Sequence, residues 1–161
     1  MSMSLTMRRF DPDLVTGLSN DDAVRFALNL PTENAPMAEE SIDFFQAWHV
    51  VHFLASGSDW DDTLPAGFMI GGDYWAQAHP EEEPFRLLDA GNVKLANQHL
   101  HDLSDELVNE RLAQLASDES EIYGSPIPAE AHDLVISAFE EIRAFFSKAA
   151  ANGQAVSKAM C

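Results

Sequence analysis

The stretch Asp43-Phe44-Phe45-Gln46-Ala47-Trp48-His49-Val50-Val51-His52-Phe53-Leu54-Ala55-Ser56-Gly57 decides how the rest of the chain is read. At about 100° per residue, Phe44, Trp48 and Val51 fill one side of a helical wheel, Val50 and Leu54 a second, and Phe45 and Phe53 a third. No broad polar face remains. A helix apolar all round is a buried one, so this segment is expected to be the central helix against which the others pack. Asp43 or Ser41 is available to cap its start, and Gly57 to end it in a left-handed turn. Its polar interior residues, Gln46, His49 and His52, share one sector of the wheel.

The 161 residues are 46% apolar, enough for a folded core, and the chain is expected to form one domain over residues 1–161. Its one cysteine is Cys161, so a disulfide framework or a cysteine-based metal site within one chain is excluded. Residues 1–10 alternate apolar and polar without a continuous apolar core, which does not fit a signal peptide. No stretch approaches the roughly 18 unbroken apolar residues of a membrane span. A cytoplasmic protein with no membrane partner is expected. With 27 acidic against 9 basic residues, for a formal charge of -18, binding to nucleic acid is disfavoured; the charge admits a basic protein partner, but net charge serves solubility first.

Outward from the centre, Met3, Leu5 and Met7 alternate with Ser2, Ser4, Thr6 and Arg8 as in a half-buried strand. Asp11-Pro12-Asp13 opens a short helix to Gly17, Ser19 or Asn20 caps another that Pro31 stops, and Thr32 to Glu40 reads as an exposed connection. Phe68-Met69-Ile70, bounded by glycines, predicts a strand or extended segment leaving the core, and Asp73 to Pro84 a long surface loop, with Phe85 to Leu88 a short extended piece. Asp89 and Ser104 cap two helices joined by a turn. Pro128 starts the longest helix, with the stripe Leu134, Val135, Ala138, Phe139, Ile142, Phe145, Phe146 and Ala149, and Gln154 to Met160 returns as an edge strand. The expected class is α+β: mostly helical, with a small sheet built from the terminal strands and a mid-chain segment around a buried central helix.

His49 and His52, one helical turn apart, could reach a common ligand. A metal needs further donors, and neither the two-histidine pattern with an intervening glutamate nor a calcium loop at Asp59 to Asp62 is present, so no metal or other cofactor is expected. No phosphate loop, nucleophile elbow or dinucleotide fingerprint occurs. The histidines are therefore read first as structural, and His99 and His101 as a solvent-exposed helix end.

The run Asp43, Ala47-Trp48-His49, His52-Phe53-Leu54 and Gly57 resembles the Asp-x-x-Lys-Ala-Trp-His-x-x-His-x-Leu-Leu-x-Gly stretch of the YfbM-like family, small bacterial proteins of unknown function. Met3-Ser4-Leu5, Gly71-Gly72, Leu88, Val93, Ile122-Tyr123 and Gly153-x-Ala155-Val156 also agree with that family's pattern. Gln46 stands where the family has lysine, and Phe45 where it has a polar capping residue. The resemblance implies an α+β domain with a small sheet and carries over no catalytic residue.

Three functions follow as alternatives. One is a non-catalytic, inhibitor- or immunity-like domain that binds a basic protein through Asp59, Asp61, Asp62, Glu81, Glu82 and Glu83, joined by Asp118, Glu119 and Glu121. Another is a small-molecule-binding protein or hydrolase-like enzyme with a pocket near Trp48, His49 and His52. The third is a housekeeping protein whose charge serves only solubility.

Overall fold

The strands from the two ends of the chain pair with each other inside a five-stranded sheet. The computed structural model describes residues 3–31, 40–116 and 121–161. Its elements are β1 (Leu5–Phe10), α1 (Asn20–Ala27), β2 (Glu40–Asp43), α2 (Trp48–Ser56), β3 (Asp73–Ala76), β4 (Phe85–Leu88), α3 (Ala90–Asp102), α4 (Asp105–Gln114), α5 (His132–Ala151) and β5 (Ala155–Met160). Strand order is β2-β1-β5-β4-β3, with every neighbouring pair antiparallel. The class is α+β, as the sequence predicts.

Alternation sends Leu5, Met7 and Val156 to one face, where they join Trp48, Val51 and Leu54 of α2 and Phe139, Ile142 and Phe146 of α5 in the main core. Phe10, Ala155 and Ala159 face the other way, towards Ala23, Phe26 and Ala27 of α1, in two smaller clusters. A bulge between Tyr74 and Ala76 lets both Trp75 and Ala76 pack on this thinner side. The helix starts follow local chemistry: Ser19, Asp89 and Ser104 each accept a backbone N–H from three residues on.

Several expectations are corrected. Ser41 and Asp43 cap no helix: they lie in β2, Asp43 accepting the Thr6 hydroxyl at 2.6 Å, and a 3-10 turn at Phe45–Ala47 leads into α2, which begins at Trp48 without a side-chain cap. The Phe45 side chain lies outside what is described, as does most of the connection from Thr32. Phe68-Met69-Ile70 forms turns rather than a strand, and Asp73–Ala76, placed in a loop, is β3. The segment from Gln154 is no edge, since β5 pairs with β1 on one side and β4 on the other. The predicted helix after Asp11 is a 3-10 turn over Pro12–Val15, and the longest helix begins at His132 after another at Ala129–Ala131. Leu134 is 75% exposed, because the apolar stripe of α5 starts one residue later.

Gly57 ends α2 with φ 72°. A side chain there would also meet the guanidinium of Arg111, which donates from Nη1 to the Leu54 carbonyl at 2.8 Å. The neighbouring Ala55 carbonyl is 2.6 Å from His99 Nε2, so His99 is not the solvent-exposed helix end expected but an inter-helix tie. Together Arg111 and His99 satisfy two of the carbonyls that a helix leaves open at its C-terminus.

Candidate functional site

Because α2 is buried on all sides, its ring-bearing residues are fixed by packing. Trp48, His49 and His52 have no measurable exposure. Trp48 stacks on His49 with centroids 4.8 Å apart, and its Nε1 donates to the Met3 carbonyl at 3.1 Å. His49 accepts the Tyr123 N–H on Nδ1 at 2.9 Å, while its Nε2 lies 2.8 Å from the Asp59 carbonyl. Both ring nitrogens are therefore engaged, which favours a structural His49. His52 differs: its Nδ1 has no partner among the described residues, and Nε2 lies 3.4 Å from Ser56 Oγ. Burial, with smaller contributions from His49 and Lys158, lowers its pKa to about 4, so at neutral pH it is an uncharged imidazole. Among the described residues no three His, Cys, Asp or Glu side chains come together in a way that could hold a metal ion.

The loop after Gly57 is folded by its own small polar residues. Ser56 Oγ accepts the Ser58 N–H at 3.1 Å, Ser58 Oγ that of Asp61 at 3.2 Å, and Asp61 Oδ1 that of Thr63 at 2.9 Å. The Thr63 hydroxyl and N–H together hold the Asp61 carboxyl below its ordinary pKa. At the centre of this loop Trp60 lies against His49, ring centroids 4.3 Å apart, yet stays 57% exposed. Asp61 and Asp62 beside it are exposed, and Asp59 is half-buried. Asp62 pairs with Arg86 of β4 at 3.5 Å. Glu81, Glu82 and Glu83 are exposed on the connection between β3 and β4, where Gln77 Nε2 donates to the Glu82 carbonyl at 2.8 Å. Both acidic runs are thus attached to one hairpin. Glu121 is exposed, and Asp118 and Glu119 lie outside the described residues.

The basic residues have the opposite disposition. Arg8, Arg9 and Lys158 are buried, Arg111 and Arg143 donate to the carbonyls of Leu54 and Leu103, and Arg86 donates to that of Gly72. Of the nine Lys and Arg residues only Arg25, Lys94 and Lys148 are exposed, and Lys148 lies 3.6 Å from Glu40. Trp60, Lys158 and the buried arginines have no mark in the sequence that sets them apart. The exposure of Trp60 depends on contacts with His49, which no local pattern encodes.

Among the described residues no helix is long and apolar enough to cross a membrane. No curated protein matches this chain. Among solved structures it is similar to the crystal structure of YfbM from Escherichia coli, a protein of unknown function, with a TM-score of 0.66 and 15% identity over 100% of both chains. That likeness is one of fold. The family model for a domain of unknown function, DUF1877, matches residues 1–157, and the chain belongs to that family.

Proposed function

We propose that the protein is a non-catalytic cytoplasmic binding domain whose acidic loop, Ser58 to Thr63, engages a basic segment of another protein. The observation that carries this reading is Trp60: a large aromatic, 57% exposed, braced from beneath by the buried His49 ring and flanked by carboxylates. Tryptophan braced in this way offers contact area without the entropy cost of ordering a flexible side chain, and its ring face attracts a lysine or arginine head group. The inward disposition of Arg8, Arg9 and Lys158 adds to this, because it leaves the solvent-facing surface more anionic than the net charge alone implies. Glu81, Glu82 and Glu83 extend the anionic surface along the same hairpin. An inhibitor- or immunity-like role is the form of this function that the charge favours. Nucleic acid does not suit such a surface.

The rival pocket at Trp48, His49 and His52 draws less support, since all three side chains are closed to solvent and both nitrogens of His49 are in use. The test is affinity capture from cytoplasmic extract with the wild type, Trp60→Ala and an Asp61→Asn/Asp62→Asn variant. A basic protein retained by the wild type, lost by both variants and released by added salt is the expected result. The same proteins captured equally by all three baits would refute the proposal.

A further inference from the structure

Arg8 of β1 and Ser157 of β5 are register partners on the side of the sheet that α1 covers, and both side chains are fully buried. The Arg8 guanidinium lies over the Phe26 ring, 4.4 Å from its centroid, and its Nη1 donates to the Phe26 carbonyl in the last turn of α1. One arm of the fork is thereby used as a helix cap. The other is not: Nε and Nη2 have no acceptor among the described residues, and Ser157 Oγ has no partner there either. Nor does any described carboxylate pair with Arg8. Arginine keeps its proton under all ordinary conditions, so burial without a counter-charge is costly, and buried polar atoms left unpaired call for a specific explanation.

The unpaired atoms form a recognisable set. Nε–H and the adjacent Nη2–H point in parallel from one edge of the guanidinium, the arrangement that takes both oxygens of a carboxylate. We infer that Arg8 and Ser157 form a seat for a small monocarboxylate, held side-on by Nε and Nη2 with the Ser157 hydroxyl donating to one of its oxygens. A single negative charge matches the single guanidinium. A phosphate dianion would leave an excess charge in an apolar layer, beside the negative end of α1. The surroundings set the size. Ala23, Ala27, Ala155 and Ala159 are the small buried residues of this layer, and the Phe26 ring meets Phe10 edge-on at 4.8 Å with Trp75 behind at 6.4 Å. Walls of this kind shield the layer from bulk solvent, which strengthens an ion pair, and they exclude a peptide chain, which points to a free small molecule. Entry requires α1, only eight residues long, to part from the sheet.

Calorimetry of the intact chain in sodium formate, acetate or propionate, against sodium chloride at matched ionic strength, tests the seat. At a hundredfold excess over Kd, at least one carboxylate is expected to raise Tm by roughly 5–10 °C above the chloride control. Arg8→Lys keeps a cation near the Phe26 carbonyl but has no fork, and is expected to abolish the rise. Ser157→Ala removes one hydrogen bond to the anion and is expected to weaken binding by roughly tenfold or more, read by titration of labelled acetate. No carboxylate-specific rise in the wild type overturns the proposal, as does a full rise in Arg8→Lys. Should Arg8→Lys fail to fold, unchanged affinity in Ser157→Ala overturns it instead.

Discussion

The backbone N–H of Tyr123 donates to Nδ1 of His49 at 2.9 Å, across 74 residues of sequence. An acceptor Nδ1 requires the proton to sit on Nε2, which then donates to the Asp59 carbonyl at 2.8 Å. One neutral ring thus joins the central helix, the acidic loop and the segment before α5. A metal ion could bind His49 only by displacing one of these two bonds.

His49→Phe keeps an aromatic ring, somewhat larger than imidazole, against Trp48 but leaves the Tyr123 N–H and the Asp59 carbonyl without partners. Each orphan costs about 1–3 kcal/mol, so for the two a loss of about 2–6 kcal/mol is expected in urea unfolding. The same variant should loosen the Trp60 loop, which a red shift in the exposed indole's emission would report. Unfolding at the wild-type midpoint would mean that the two hydrogen bonds contribute nothing.

Trp48→Ala and Leu134→Ser separate burial from apolar character. Trp48 is fully enclosed and its Nε1 reaches the Met3 carbonyl, so its truncation is expected to cost about 3–5 kcal/mol. Leu134 is 75% exposed, and its replacement should change stability by no more than about 0.5 kcal/mol. Thermal unfolding of the two variants side by side checks both values.

What was legible in the sequence is what depends on near neighbours. Ser19, Asp89, Ser104 and Gly57 mark helix ends because capping is settled within three or four residues, and the all-round apolar pattern of Trp48 to Ala55 marks a buried helix for the same reason. The centrality of β5 depends on pairing with β1 from the other end of the chain, and a lysine in Ala155–Met160 reads as an edge residue when it is in fact buried. Phe68-Met69-Ile70 resembles a strand because so short an apolar run has no period to betray it, and the Phe68 carbonyl goes to Lys158 instead of to a sheet ladder. The candidate site divides in the same way. The histidines and carboxylates are visible as residues, whereas the bracing of Trp60 by His49 and the unpaired fork of Arg8 exist only once distant segments meet.

His52 should make stability depend on pH. Its pKa falls from 6.5 in the unfolded chain to about 4 in the fold, so between these values the unfolded state binds the proton and the folded state does not. The contribution is therefore fully present above pH 6.5, declines as pH falls towards 4, and changes no further below. The gap corresponds to about 3 kcal/mol. Between neutral pH and pH 4, His52→Leu is expected to lose about that much less stability than the wild type. Parallel pH curves for the two proteins would show that His52 titrates normally.

Lys158 offers the last test, because it secures the turn that follows the acidic loop. Its side chain is 3% exposed, and Nζ donates to the carbonyl of Phe68 at 2.6 Å and to that of Gly71. The turn is tightened by Gly67 N–H to the Thr63 carbonyl and Gly71 N–H to the Gly67 carbonyl, both at 2.8 Å. A Cβ at either glycine would strike the backbone of Asp61 or Asp62. Burial, and secondarily the Arg86 charge, pushes the Lys158 pKa well below 10.5, with Asp62 opposing. Between the depressed folded value and 10.5 the unfolded chain holds the extra proton, so the wild type gains stability relative to Lys158→Met as pH rises through that window. Urea midpoints for both proteins from neutral pH to about pH 10 measure the gain, and a pH-independent difference would show that the amine titrates as a solvent-exposed lysine does. Lys158→Met also leaves the Phe68 and Gly71 carbonyls without their donor, so amide exchange at Gly67 and Gly71 should accelerate. Protection unchanged from the wild type would mean that the turn holds itself and that Lys158 contributes no restraint to the loop bearing Trp60.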